Sequence, residues 1–205
     1  MSQDQNMAPP APLSESLRQE YFGKQTAIET LEGLEVKGRA PKTGYQRALF
    51  GTGWAKQGVC DMRNIILKRD LVDEKVDEQC QVLSGVLNDP YTGKTIQFTR
   101  GPDSSQEVQI DHVVALSDAW QKGAQQLTIE QREKFANDPL NLLAVDGAAN
   151  QEKSDSDAAS WLPPNRAFRC QYVARQVAVK KKYGLWVTEA EKRIIRNVLE
   201  SCDNR

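Results

Sequence analysis

The sequence predicts an α+β domain in which a small antiparallel sheet is surrounded by several helices. Three observations carry that reading. Runs of strand character at 81–87 and 95–100 flank Asn88-Asp89-Pro90-Tyr91-Thr92-Gly93, whose Asp-Pro and late Gly are hairpin-loop chemistry. Thr128-Ile129-Glu130-Gln131 and Thr188-Glu189-Ala190-Glu191 are capping boxes: the Thr side chain satisfies an amide three residues on, and the Gln or Glu reaches back. A chain of 205 residues with 39% hydrophobic content suffices for one domain with a sizeable core, or one domain plus an extension.

In chain order, residues 1–14 are rich in Pro, Ala and polar side chains. Residues 1–15 are therefore expected to be disordered, or ordered only against the body, ahead of a single domain over 16–205. Leu17, Tyr21, Ile28, Leu31 and Leu34 recur at helical spacing, and Gly23 leaves open one helix or two. Residues 36–54 read as an irregular packed segment. Ile65, Ile66 and Leu67 give an apolar face to a helix over 61–71. A third strand follows the hairpin at 106–112, with Val108, Ile110 and His112 on one face and Asp111 on the other. A kink or bulge must re-aim one side chain if Asp111 and His112 serve one site. Helices are expected over 114–124 and 128–137, a strand over 140–145, and a helix from 148 to about 157. Trp161-Leu162-Pro163-Pro164 breaks the chain. A helix over 166–183 stops at Gly184, and a last one buries Ile194, Ile195, Val198 and Leu199.

Composition narrows the chemistry. The net charge of −1 exerts no global pull toward nucleic acid; residues 150–205 hold 11 Lys/Arg against 7 Asp/Glu, which leaves a local basic face open, although Lys180-Lys181-Lys182 alone reads first as a solvated helix end. No apolar run approaches the roughly 18 residues that span a bilayer. Cys60, Cys80, Cys170 and Cys202 form no C-x-x-C pair, and one histidine does not complete a usual zinc cage. Their separations suit two local bridges, Cys60–Cys80 and Cys170–Cys202, although three connectivities exist and four free thiols are the alternative. Such bridges stabilise by roughly 3–4 kcal/mol each and belong outside the reducing cytosol. The first residues lack the basic start and apolar core of a signal peptide, so a secreted, extracellular destination requires a leader already removed.

The only histidine, His112, follows Asp111 in Val108-Gln109-Ile110-Asp111-His112-Val113-Val114. Downstream stand Asn141 in an apolar strand-like run and Asn150-Gln151-Glu152-Lys153 at a helix start. This ordered set resembles the ββα-metal (His-Me finger) core of HNH endonucleases, here over about 106–158. The likeness extends further. Gly44-Tyr45-Gln46-Arg47, Phe50-Gly51, Trp54, Cys60-Asp61-Met62-Arg63-Asn64, Asp89-Pro90-Tyr91-Thr92-Gly93, Ala119-Trp120, Phe135-Ala136-Asn137-Asp138-Pro139 and Trp161-Leu162-Pro163-Pro164 resemble secreted actinobacterial HNH proteins. Those are related to the C-terminal domain of GmrSD-type modification-dependent restriction enzymes, and the likeness covers roughly 30–205.

The resemblance implies a divalent-metal-dependent endonuclease acting on DNA, a monomer, with one Mg²⁺ or Mn²⁺. Asp111 and Asn150 become its oxygen ligands, and His112 the general base, worth about 10²–10⁴ in rate. Asn141, or a backbone carbonyl near it, fixes the imidazole, and Lys153 reaches a phosphate from the face of Asn150. The third position of the HNH triplet is Asn150 rather than His, which favours Mg²⁺ or Mn²⁺ over zinc. Lys153-Ser154-Asp155 stands where relatives often have Lys-Gly-Asp. Arg63 and Arg100 are the arginines assigned to phosphate contact, against an ion pair with Asp61 or Asp103. Trp54, Trp120, Trp161 and Trp186 are read as packing residues first and base-stacking residues second. The competing reading is a catalytically silent protein on the same scaffold that binds nucleic acid or the cell envelope. A serine or cysteine nucleophile activated by His112 leaves Asn150 and Lys153 unexplained and lacks a nucleophile-elbow glycine pattern.

Overall fold

The computed structural model describes residues 8–202. Of the expected N-terminal segment, residues 1–7 lie outside the described range. Ala11 N–H donates to the Ala167 carbonyl at 3.2 Å, and Leu13 packs against the core. Helix α1 (Glu15–Phe22) starts at Glu15 because the Ser14 hydroxyl accepts from the Leu17 amide. Gly23 adopts φ +61°, so the chain turns before α2 (Ala27–Glu32), which Thr26 and Glu29 close with a reciprocal capping box.

The irregular stretch that follows contains one 3₁₀ turn, Arg47–Phe50, and a two-residue ladder of β1 (Lys56–Gln57) with β2 (Cys60–Asp61). Asp61 caps α3 (Met62–Asp70), its carboxylate accepting from the Asn64 amide. Next come β3 (Leu71–Val76), β4 (Val82–Asn88) and β5 (Thr95–Thr99), an antiparallel sheet in that order. Strand β3 was not expected: Leu-Val-Asp-Glu-Lys-Val has three consecutive charges and shifts register between Val72 and Lys75. The Cys60–Cys80 disulfide ties the start of α3 to the start of β4.

Strand β6 (Val108–His112) does not extend that sheet. It pairs with β7 (Leu142–Asp146), His112 opposite Leu142 and Val108 opposite Asp146, without a bulge. Between them lie α4 (Leu116–Trp120) and α5 (Ile129–Ala136), the latter opened by the Thr128–Gln131 capping box. Helix α4 is shorter than the expected 114–124, because the backbone loosens into a turn before Gly123, at φ +117°. Helix α6 (Gly147–Lys153) is also shorter than expected, ending where Ser154 turns to φ +50°. Helices α7 (Arg169–Tyr183) and α8 (Glu189–Ser201) complete the fold, joined by Cys170–Cys202. Gly184, at φ +64°, ends α7.

The β6–β7 pair separates two apolar layers. Val108, Ile110, Leu142 and Ala144 face Met62, Ile66, Leu87 and Phe98, whereas Leu143 and Val145 face Tyr172, Val173 and Val177 of α7. The segment after α6 is held by charge. Lys122, fully buried, pairs with Asp118 at 2.9 Å, Asp157 at 2.8 Å and Glu191 at 3.0 Å, and Arg39 reaches Asp118 and Asp157 at 2.8 and 2.9 Å. No helix among the described residues is long and apolar enough to cross a membrane.

Candidate active site

His112 ends β6, 7% exposed, with its ring stacked on Trp54 at 5.6 Å and an interplanar angle of 20°. Its Nε2 lies 2.8 Å from the carbonyl of Ala136, the last residue of α5. A carbonyl only accepts, so Nε2 carries the hydrogen and the neutral ring keeps its lone pair on Nδ1. The helix end supplies this oxygen because its last carbonyls have no intrahelical partner. Burial pushes His112 down from its ordinary 6.5 to about 4, with Arg47 and Lys153 adding to the shift and the Ala136 carbonyl opposing it.

Asp111 points away from that ring, as alternation along an unbulged strand requires. Asp111 is 6% exposed, and its carboxylate accepts from two buried donors. Tyr91 O–H donates to Oδ2. The Lys153 ammonium sits 3.1 Å from Oδ2, 3.3 Å from Oδ1 and 2.9 Å from the His112 carbonyl. Burial raises the Asp111 carboxyl above the usual range, while Lys153 and Tyr91 pull it down. The Tyr91 phenol is raised well above its ordinary value by burial and by the neighbouring carboxylate. Tyr91 reaches this position because Asp89 closes the hairpin loop onto its amide and because Trp161 and Tyr172 pack edge-on against its ring, centroids 5.0 and 5.7 Å away.

Asn150 stands in α6, one turn before Lys153. Its Nδ2 donates to Gln109 Oε1 at 2.9 Å, leaving Oδ1 without an intramolecular partner among the described residues. The helix lies close enough to β6 for this because Gly147 begins it: a Cβ there would come within 2.2 Å of the Gln106 carbonyl oxygen. Asn141 is fully buried and does not touch the imidazole. Its Oδ1 accepts from the Val114 amide at 2.8 Å and its Nδ2 donates to the Val114 carbonyl at 3.2 Å, so it clamps the backbone leaving His112.

Asp111, His112 and Asn150 line one cavity of about 290 Å³, together with Ser117, Asp155 and Arg47. A second lobe of about 110 Å³ shares Arg47, His112 and Leu116 with it and is walled also by Phe50, Gly53, Trp54 and Asn137. Among the described residues no three His, Cys, Asp or Glu side chains cluster as a ready metal cage. The donors that line the larger lobe include the Asp111 and Asp155 carboxylates and the Asn150 amide oxygen, which has no partner among the described residues. Hard oxygen donors of that number fit a cation that keeps waters and takes phosphate oxygens, as Mg²⁺ does.

Arg63 lies elsewhere, its guanidinium donating to the Ser105 and Val108 carbonyls at 3.1 and 3.2 Å. Arg100 is likewise engaged by the Val82 carbonyl at 2.9 Å and Asn64 Oδ1 at 2.6 Å. Neither pairs with Asp61 or Asp103, and neither lines the cleft. Lys153 spends its charge on Asp111 instead of reaching outward. The Ala136 carbonyl, Tyr91 and Trp54 are site groups that sequence reasoning did not assign. Phe135-Ala136-Asn137-Asp138-Pro139 and Asp89-Pro90-Tyr91-Thr92-Gly93 were marked as shared segments, which is the signal that pointed to them.

Comparison with known proteins places the chain in a family. Residues 61–198 match the model of the GmrSD restriction endonucleases, C-terminal domain. The chain is also 40% identical over 179 residues to an uncharacterized secreted protein of Arthroderma benhamiae, covering 86% of this chain and 85% of that one. No solved structure matches. That relative is named as secreted, and the two disulfides of this chain suit an oxidising environment rather than the reducing cytosol. The match over most of the chain, with Asp111, His112, Asn150 and Lys153 inside it, identifies the chain as a member of the family of GmrSD restriction endonuclease C-terminal domains.

Proposed function

We propose that the protein is a divalent-metal-dependent endonuclease that hydrolyses DNA phosphodiester bonds, with β6, β7 and α6 as a ββα-metal core. The observation that carries this reading is the approach of His112 Nε2 to the Ala136 carbonyl at 2.8 Å. The Nε2–H is committed to that carbonyl, so Nδ1 is a free base in the cleft that Asp111 and Asn150 line. Asp111 and Asn150 would hold one Mg²⁺ or Mn²⁺, which when bound supplies charge neutralisation at the phosphate and at the leaving oxygen. Nδ1 accepts a proton from water, the water oxygen bonds to phosphorus, the bond to the leaving ester oxygen breaks, and that oxygen is protonated from solvent. Depression of the ring's basicity keeps it unprotonated at neutral pH. Trp54 and Ala136 orient the ring, and Lys153 with Tyr91 fixes the rotamer of Asp111.

One observation favours a protein that binds without cutting: the Lys153 ammonium already neutralises Asp111. Plasmid cleavage with Mg²⁺ and with EDTA separates the two. The nuclease gives metal-dependent nicks that H112A reduces by about 10²–10⁴ and that D111A recovers only at higher Mg²⁺. Retardation of DNA without cleavage in any divalent metal refutes the enzyme.

A further inference from the structure

Among the described residues Arg47 is the only cationic side chain that lines either lobe of the cleft, and it lines both. Among the described residues it has no hydrogen-bond or ion-pair partner, unlike Arg39, Arg63, Arg69, Arg100, Arg132 and Arg175. Its backbone, by contrast, is fixed. It opens the 3₁₀ turn Arg47–Phe50, Phe50 is 2% exposed against Phe135 and Trp120, and Arg132 holds the Leu49 carbonyl at 2.9 Å. A docked turn that presents one free guanidinium at the seam of a cleft is a prepared anion grip.

The two lobes differ in chemistry. The larger holds Asp111, Ser117, Asn150 and Asp155, and the smaller sets Phe50, Trp54 and Leu116 beside Arg47, His112 and Asn137. In the smaller lobe Gly53 stands at φ +81°, with no atom within 4 Å of where a Cβ would be. A nucleotide has the same division: an anionic phosphate and a flat, apolar-faced base.

We propose that Arg47 grips a non-bridging phosphate oxygen of the bound strand, and that the apolar lobe beside His112 seats the adjoining nucleoside. The proposal rests on the nuclease reading and assigns its substrate contacts. A guanidinium–phosphate pair at this site is worth roughly 10- to 100-fold in affinity.

The test titrates inorganic phosphate and thymidine 3′,5′-bisphosphate calorimetrically into the full chain, with and without Mg²⁺. Wild type is compared with R47A, R47K and R193A, Arg193 being an exposed arginine of α8 outside both lobes. The bisphosphate is expected to bind at least 10-fold more tightly than phosphate. R47A should weaken both by roughly 10- to 100-fold, R47K should recover part of the loss, and R193A should match wild type, all at unchanged melting temperature. Equal affinity of R47A and wild type overturns the grip, equal affinity for phosphate and bisphosphate overturns the nucleoside seat, and no binding by wild type overturns both. Plasmid cleavage by wild type but not H112A, with R47A indistinguishable from wild type, sinks this assignment while leaving the nuclease intact; absence of cleavage by wild type sinks the nuclease itself.

Discussion

Replacing Lys153 with Met keeps an unbranched side chain of similar length but deletes the ammonium between Asp111 and the His112 carbonyl. Lys153 is fully buried and contacts both Asp111 oxygens, at 3.1 and 3.3 Å, so its loss leaves a desolvated carboxylate with Tyr91 as its remaining donor. Breaking a buried pair on one side costs about 3–5 kcal/mol. At about 2.1 cal/mol/K of unfolding entropy per residue, that lowers the melting temperature by roughly 7–12 °C. The pH dependence has a definite sign. Burial already raises the Asp111 carboxyl, and removal of Lys153 raises it further. A carboxyl with a folded pKa above its unfolded one costs stability at high pH, and the cost vanishes as pH falls through the folded pKa. The gap between wild type and K153M should therefore narrow from pH 7 to pH 5. Neutralising the partner as well, in D111N/K153M, should restore most of the loss. Urea unfolding with the disulfides intact, in EDTA, measures wild type, K153M, D111N and D111N/K153M. A K153M variant within about 1 kcal/mol of wild type at pH 7, or strictly additive single variants, refutes the pairing.

Two further outcomes follow from the geometry. Because burial holds His112 near 4 in the fold against 6.5 when unfolded, the unfolded chain binds a proton first. Stability should fall between pH 6.5 and 4, by roughly 3 kcal/mol, and H112Q should lack that component in urea titrations; equal slopes in the two proteins exclude a buried neutral imidazole. At Gly147, an added Cβ would meet the Gln106 carbonyl at 2.2 Å, so G147A must shift α6. It should cost about 1–3 kcal/mol and reduce plasmid cleavage although Asp111 and His112 remain; unaltered stability and activity mean that α6 does not lie so close to the loop before β6.

Much of the local structure was legible because its causes lie within a few residues. The Thr128–Gln131 and Thr188–Glu191 boxes form as their spacing implies, the Asp89–Gly93 loop joins β4 to β5, and Gly184 ends α7. The two disulfides join the cysteines nearest in sequence. Strand β3 was not legible, since three adjacent charges and a bulge hide its alternation. The expected kink between Asp111 and His112 does not exist: opposite faces of one regular strand meet a single cleft because α6 covers one and Trp54 the other.

By itself, then, the sequence determined which groups are available: one imidazole beside a carboxylate, an asparagine and a lysine a helical turn apart, and four cysteines outside any zinc pattern. Tertiary structure decided what each group touches. Arg63 went to backbone carbonyls, Lys153 to Asp111, Asn141 to the Val114 backbone, and Ala136, 24 residues from His112, supplied the oxygen that fixes its tautomer. The reason is the range of the forces. Caps, turns and periodicity are satisfied locally, whereas a buried donor or charge takes whichever partner the packing of distant segments brings within about 3 Å.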